Sequence, residues 1–432
     1  MRTRRWYRTL CGVWRDMGDA VRVLAPSEQR FVRHGTYTGR SVLVAGELDI
    51  DALCTAFAAL RRAYPVLACR IGADADGVGY LLRPGAASTG AWIRTGSIEQ
   101  VRLPEHTVDP GVQLAYLDVV AGAGGVRVTL YAHHSVADAG HCVQLLIRLW
   151  EFYTDRVSPE AVEPQDLPCS LEDIAAERGI VRGAVSGLEE LTVALPPDAG
   201  VPPLDPVTPA PPRIASPQRV VFDIATTARI VELGHRPGMS VNGLVTAALL
   251  RAYASETEPD TAVSVRCLYP VDLRARFDPA VPRAAGTNMG GLTAFAADTD
   301  LADDGSALAH QISARLHHQL AEGTVQQSVL HFPDYYGAHR IHGLASHVAL
   351  TNTGRIPDFR MPPELRLTDY EIVYLSAHPR PSPGGAAAVT FQVYTFGDRL
   401  IVGVLGGGAA AGRLPVAVRR ELAGRPGARI GR

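Results

Sequence analysis

The stretch that decides the fold runs from Val126 to Asp138, VRVTLYAHHSVAD. Val126, Val128 and Leu130 alternate with Arg127 and Thr129, the two-residue period of a strand. The run ends in His133 and His134, a short loop Ser135-Val136-Ala137, and Asp138. Helical spacing then starts at about Ala139, with Cys142, Leu145, Leu146, Leu149 and Phe152 on one side. A strand-loop-helix corner of this kind lets a rigid scaffold aim a side chain into a cleft. With 14 histidines in the chain, an HHxxxD pattern is expected by chance about 0.03 times, so context decides its weight. A second pair, His317-His318 followed by Glu322, lies in an apparent helix with no strand before it and reads as a solvated face.

Outward from the corner, Ser41 to Gly46 reads as a strand, and Asp49 and Asp51 open a helix carrying Leu53, Ala56, Phe57 and Leu60. That helix stops near Tyr64-Pro65, and Val66 to Ile71 is expected to be a strand. Two strands between Gln113 and Tyr131 are split by the turn Gly122-Ala123-Gly124-Gly125. Residues 157–218 are proline-rich, hold one helical piece at Leu171–Glu177, and read as a connection between two halves. In the second half Val220–Ile224 is strand-like, and Ser240 is a candidate cap for a helix through Leu244, Ala247, Ala248 and Leu250. Further strands are expected at Ala262–Leu268, His347–Leu350, Val389–Thr395 and Leu400–Val404, and a helix at Ala307–Leu320. The organisation is therefore a flexible or mis-assigned arm (1–20), an N-terminal subdomain (21–156), the connection (157–218), a C-terminal subdomain (219–406) and a loose tail (407–432).

Composition narrows the function. The 432 residues carry 42 basic and 44 acidic side chains, 42 − 44 = −2, which argues against nucleic-acid binding. All the basic residues are arginine, which fits a GC-rich genome better than selection for guanidinium groups. No stretch approaches 18 uninterrupted apolar residues, so no membrane-spanning helix is expected. The six cysteines are scattered, with neither CxxC nor zinc-ligand spacing, and point to a reducing cytoplasm with no metal site. Neither a GxSxG nucleophile elbow nor a GxxxxGK[ST] phosphate loop occurs.

An unprotonated imidazole takes a proton from a hydroxyl or amine near neutral pH, so the corner suits base-assisted acyl transfer. His134 is either that base or a core histidine satisfied by backbone carbonyls, and His133 reads as structural. Asp138 either orients an imidazole or pairs with a distant arginine and fixes the loop; the second role is favoured.

HHSVAD resembles the HHxxxDG signature of the superfamily that holds chloramphenicol acetyltransferase and the condensation domains of nonribosomal peptide synthetases. From Val23 to about Val404 the chain is similar to the polyketide-associated acyltransferases typified by phthiocerol/phthiodiolone dimycocerosyl transferase. The matching segments are LAPSEQ (24–29), YPVLA (64–68), LYAHHSVADAGH (130–141), SVNGLVTAA (240–248), YPVDLR (269–274), GTNMGG (286–291) and GTVQQSVLHF (323–332). The resemblance implies an α/β fold of two chloramphenicol acetyltransferase-like subdomains, mixed sheets flanked by helices, with a tunnel at their interface and His134 midway along it. It implies an O-acyltransferase with no bound cofactor. The donor would be an acyl-phosphopantetheine thioester on a polyketide synthase acyl carrier protein or on CoA, and the acceptor a polyketide or lipid-like hydroxyl. A cytoplasmic monomer is expected. By the same resemblance Asp138 pairs with Arg274, which is otherwise a loop cation. Asn288 and Asn352 either line the tunnel or cap turns, and Ser135 either polarises an oxyanion or bonds backbone. Two departures stand out: Ala139 replaces the motif glycine, with Gly140 one place later, and the DFGWG segment of plant relatives is absent. Condensation-type amide formation and a catalytically silent carrier-docking module are the alternative functions.

Overall fold

The computed structural model describes residues 19–74, 76–85, 89–195, 211–257, 263–285, 287–299, 301, 305–336, 340–379 and 387–424. Two six-stranded sheets organise them. In the first, the order is Ala91–Thr95, Ala115–Gly122, Gly125–His133, Thr36–Ala45, Arg366–Ser376 and Arg213–Ala215. In the second it is Gln218–Val221, Arg399–Gly406, Ala387–Phe396, His347–Arg355, Val263–Asp272 and Gly290–Thr299. The strand that ends in the histidine pair is central. It runs antiparallel to Thr36–Ala45 on one side and to Ala115–Gly122 on the other, so its backbone is paired along both edges.

Helices Ile50–Ala63 and Ala139–Thr154 cover the first sheet, and their buried faces include every residue read from the sequence, with Ala59, Ala63, Val143, Trp150 and Tyr153 among those added. A fully buried leucine among them contributes about 1.5–3 kcal/mol. Asp49 caps one helix through Ala52 N, and Asp138 caps the other through His141 N at 2.9 Å. Helices Val241–Thr257, Ser306–Ala321 and Leu414–Ala423 cover the second sheet. Ser240 Oγ accepts from Gly243 N at 3.0 Å, as its candidate cap role requires.

The structure corrects several expectations. Strand Arg366–Ser376 belongs to the first sheet, so the boundary 219–406 does not enclose a self-contained C-terminal unit. Asp369 and Glu371 interrupt its apolar pattern. Their charges are met by Arg219 at 2.7 Å from Asp369 and by Arg127 at 3.6 and 3.9 Å. The connection is more than a tether: Leu171, Ala175, Leu188 and Leu191 are buried with Leu273, Val325 and Phe332 in a third core, although 196–210 lie outside the described residues. The tail is not loose over its first part, since Leu414, Ala417, Val418 and Leu422 are buried; 425–432 lie outside the described residues. Of the N-terminal arm, 1–18 are likewise outside, and Ala20–Val23 is a strand paired with Gly79–Leu82. Proline starts a 3₁₀ turn at Pro65–Ala68, which shortens the expected strand to Arg70–Ala73. The strand near Val220 ends at Val221 because Asp223 caps a helix, Ile224–Gly234.

Candidate active site

The corner is pinned before its side chains are considered. His133 N donates to Leu114 O at 2.8 Å and His134 N to Thr36 O at 2.7 Å, so both neighbouring strands fix where the two rings start. His133 is fully buried; its Nδ1 accepts from Ser135 N at 3.3 Å and its ring meets Tyr37 edge-on at 5.0 Å. Burial, then the adjacent His134, push its pKa down to about 3.

His134 is half-buried, with its ring stacked on Phe31 at 4.1 Å and 16°, and on Tyr374 at 6.1 Å. Its Nδ1 lies 3.0 Å from Ala137 O. A carbonyl oxygen only accepts, so the proton sits on Nδ1 and Nε2 keeps its lone pair. Asn288 Nδ2 also approaches Nδ1 at 3.3 Å but donates to His134 O at 2.9 Å. Among the described residues, every hydrogen bond to this ring is at Nδ1. Burial, then the Arg30 cation, hold the imidazole neutral, with its pKa pushed down to about 4.

Asp138 turns away from both histidines. Its Oδ1 accepts from His141 N at 2.9 Å, and its Oδ2 from Met289 N at 2.7 Å and Arg274 NH1 at 2.6 Å. Burial alone raises the carboxyl, but Arg274 and the backbone donors more than offset this and leave it below the ordinary range. Arg274 also donates to Asp272 Oδ1 at 3.1 Å and Thr287 O at 3.0 Å. The expected pair therefore exists, joins the two halves, and has side chains only 11% and 3% exposed. Removing one partner of such a pair costs about 3–5 kcal/mol.

Ala139 is the first residue of its helix and carries no positive φ, so the motif glycine is not demanded there by backbone strain. Gly140 has the packing role instead: a Cβ on it would lie 3.0 Å from Asp272 Oδ2 and 3.4 Å from Asp138 Oδ1.

The contacts of three further residues separate the alternatives left open for them. Ser135 is fully buried and its Oγ donates to Glu28 O at 2.7 Å, so the hydroxyl is committed to backbone and is not a tunnel donor. Asn288 does reach the site, through His134. Asn352 does not join it: its amide donates to Asn242 Oδ1 and its oxygen accepts from Gly354 N at 2.8 Å, the turn-capping alternative. Sequence reading missed Arg30, Phe31, Tyr374 and His141. The first two directly follow LAPSEQ, a signal that was present; Tyr374 sits on the strand whose acidic residues hid it. His141, neutral with a pKa near 4 through burial and then Arg274, bonds Arg283 O at 3.2 Å. His318 is 67% exposed and lies 3.4 Å from Glu322, the solvated face that was expected. Among the described residues, no group of three His, Cys, Asp or Glu side chains could hold a metal, and no helix is long and apolar enough to cross a membrane.

Similarity to known proteins bears on this geometry. Residues 211–405 match the model of the phthiocerol/phthiodiolone dimycocerosyl transferase C-terminus. The chain is 33% identical over 383 residues to the phthiocerol/phthiodiolone dimycocerosyl transferase of Mycobacterium leprae, covering 82% of this chain and 86% of that one. Polyketide synthase associated protein 5 from Mycobacterium tuberculosis superposes with a TM-score of 0.76 at 27% identity, over 94% of this chain and 98% of that one. The first condensation domain of the calcium-dependent antibiotic synthetase shares the fold alone, with a TM-score of 0.57 at 16% identity over 94% and 95% of the two chains. The two-sheet architecture is thus that of the condensation-type acyltransferases, and the chain belongs to the phthiocerol/phthiodiolone dimycocerosyl transferase family of acyltransferases.

Proposed function

We propose that this acyltransferase moves an acyl group from a phosphopantetheine thioester directly to a hydroxyl of a polyketide-derived or lipid-like acceptor, with His134 as general base. The donor arm belongs to an acyl carrier protein of a polyketide synthase or to CoA, and the enzyme works as a cytoplasmic monomer. The substrate class is supported by relatives named phthiocerol/phthiodiolone dimycocerosyl transferase. The observation that carries the mechanism is the Nδ1 bond to Ala137 O, which leaves Nε2 to accept a proton.

The acceptor oxygen bonds to the thioester carbon while its proton passes to Nε2. The tetrahedral oxyanion then collapses, the carbon–sulfur bond breaks, and the thiolate takes the proton back from Nε2. His133 and the Asp138–Arg274 pair hold the corner in place and touch no reacting atom. The reaction is read by mass spectrometry of products from a panel of acyl thioesters with alcohol and amine acceptors. Esters, lost by about 10²–10⁴ in turnover in folded His134→Ala, are expected. Amide products would replace the hydroxyl reading, and wild-type transfer by H134A would remove the base.

A further inference from the structure

Arg30 follows the short helix Pro26–Gln29, and its guanidinium carbon lies 4.6, 5.3 and 5.8 Å from the ring centres of Phe31, Phe332 and Tyr336. Phe31 is also the ring stacked on His134. Arg30 NH2 donates to Asn288 Oδ1 at 3.4 Å, and the amide of Asn288 donates to His134 O. One aromatic link and one amide link therefore tie this cation to the histidine. Among the described residues no carboxylate lies within 4.0 Å of it. The acids that act on it from farther away are engaged elsewhere, Glu172 with Ser27 and Asp138 with Arg274.

A cation beside a base is a cost, because it repels the proton the base must take. The arrangement is useful only if negative charge forms close by. In direct acyl transfer it does: as the acceptor oxygen bonds to the thioester carbon, the carbonyl π electrons move onto oxygen, and they return when the thiolate leaves. A guanidinium already fixed by stacking meets that charge without reorganising. We propose that Arg30 is the electrostatic partner of His134, stabilising the oxyanion through its field while Phe31, Phe332, Tyr336 and Asn288 hold it in place. This rests on the reading of His134 as the base.

The test compares Arg30→Gln, Arg30→Lys and His134→Ala in the full chain, with circular dichroism as the check on folding. R30Q is expected to lower kcat about 10²-fold with KM little changed, and R30K, which keeps the charge, to stay within about tenfold of wild type. Arg30→Met, which keeps the stem without the charge, takes the place of R30Q if that variant does not fold. A second readout is the acid limb of the kcat–pH profile. The charged and titratable groups facing His134 are Arg30, Arg40 from strand Thr36–Ala45, Asp138 and His133 from its own corner, and Tyr374 from strand Arg366–Ser376. Loss of the Arg30 charge alone moves the limb to higher pH in R30Q and leaves it in place in R30K. Equal losses in both variants with an unmoved limb would mean a structural role and overturn the proposal. A raised KM at unchanged kcat would also overturn it, assigning Arg30 to binding a substrate anion. If H134A turns over normally the base reading itself fails; if H134A is inactive while R30Q is normal, only the role of Arg30 fails.

Discussion

HHSVAD at 133–138 and HHQLAE at 317–322 are nearly the same pattern, two histidines and an acid four residues beyond the second, in two different settings. In the helix Ser306–Ala321 that spacing brings side chains onto one face, and His318 meets Glu322 at 3.4 Å in solvent. In the corner a strand ends and a helix begins between the histidine and the acid, so Asp138 points to the helix N-terminus and to Arg274. His134 is left bonded to a carbonyl through Nδ1. Identical spacing thus yields an exposed histidine–carboxylate contact in one place, and in the other a histidine set apart from a buried aspartate–arginine bridge. Secondary structure, and not the order of residues alone, sets what the pair can do.

The contrast breaks most sharply in turnover. His134→Ala is expected to lose about 10²–10⁴ in kcat, whereas His318→Ala should leave kcat unchanged, measured under saturating thioester. Comparable losses in both would erase the distinction.

Stability gives the next largest separation. Asp138→Asn breaks a buried pair and is expected to cost about 3–5 kcal/mol in urea unfolding. Glu322→Gln, on an exposed pair, is expected to cost at most about 1 kcal/mol.

The pH dependence sharpens the comparison further. His133, His134 and His141 are held neutral in the folded protein, with pKa values pushed down to about 3, 4 and 4 from an ordinary 6.5. The unfolded chain therefore binds more protons between about pH 6.5 and 4, and stability falls as pH drops through that window. Thermal melts from pH 7 to 4.5 should show this slope, shallower in H134A than in the wild type. With His134 as the proposed base, turnover should stay flat from pH 8 to about 5, because its imidazole remains unprotonated. An acid limb at pH 6.5 would contradict the lowered pKa of His134.

The smallest effect concerns the displaced glycine. Ala139→Gly restores the family motif, yet it should cost about 0.5–1 kcal/mol in stability and add nothing to kcat, since the helix start at 139 needs no positive φ. A large gain in rate would show that the alanine impairs the corner.

Much of this was legible in the chain. The alternation from Val126 to Leu130, the turn at Gly122–Gly125 and the apolar face of the helix after Asp138 each gave an element in its observed place. His134 at the corner, the exposed second pair and the Ser240 cap were readable for the same reason. Strand Arg366–Ser376 was not, because Asp369 and Glu371 spoil its periodicity and their arginine partners lie far away in sequence. The tail helix was hidden by the glycine- and alanine-rich residues that flank it and by its own arginines until Leu414, Ala417, Val418 and Leu422 met the second sheet.

What the sequence determined by itself is local: strands, turns, caps and the strand-to-helix corner, all decided by hydrogen bonds and side-chain periods a few residues long. The pairing of Asp138 with Arg274 came from likeness to a family, since no local rule joins them across 136 positions. Tertiary structure alone decided that Ser135 serves Glu28 O, that Asn288 reaches His134 while Asn352 does not, and that Arg30 is tied to His134 through Phe31 and Asn288. Those relations join residues far apart in the chain, which no local period records; burial keeps the imidazole neutral, and the Nδ1 bond to Ala137 O leaves Nε2 to accept.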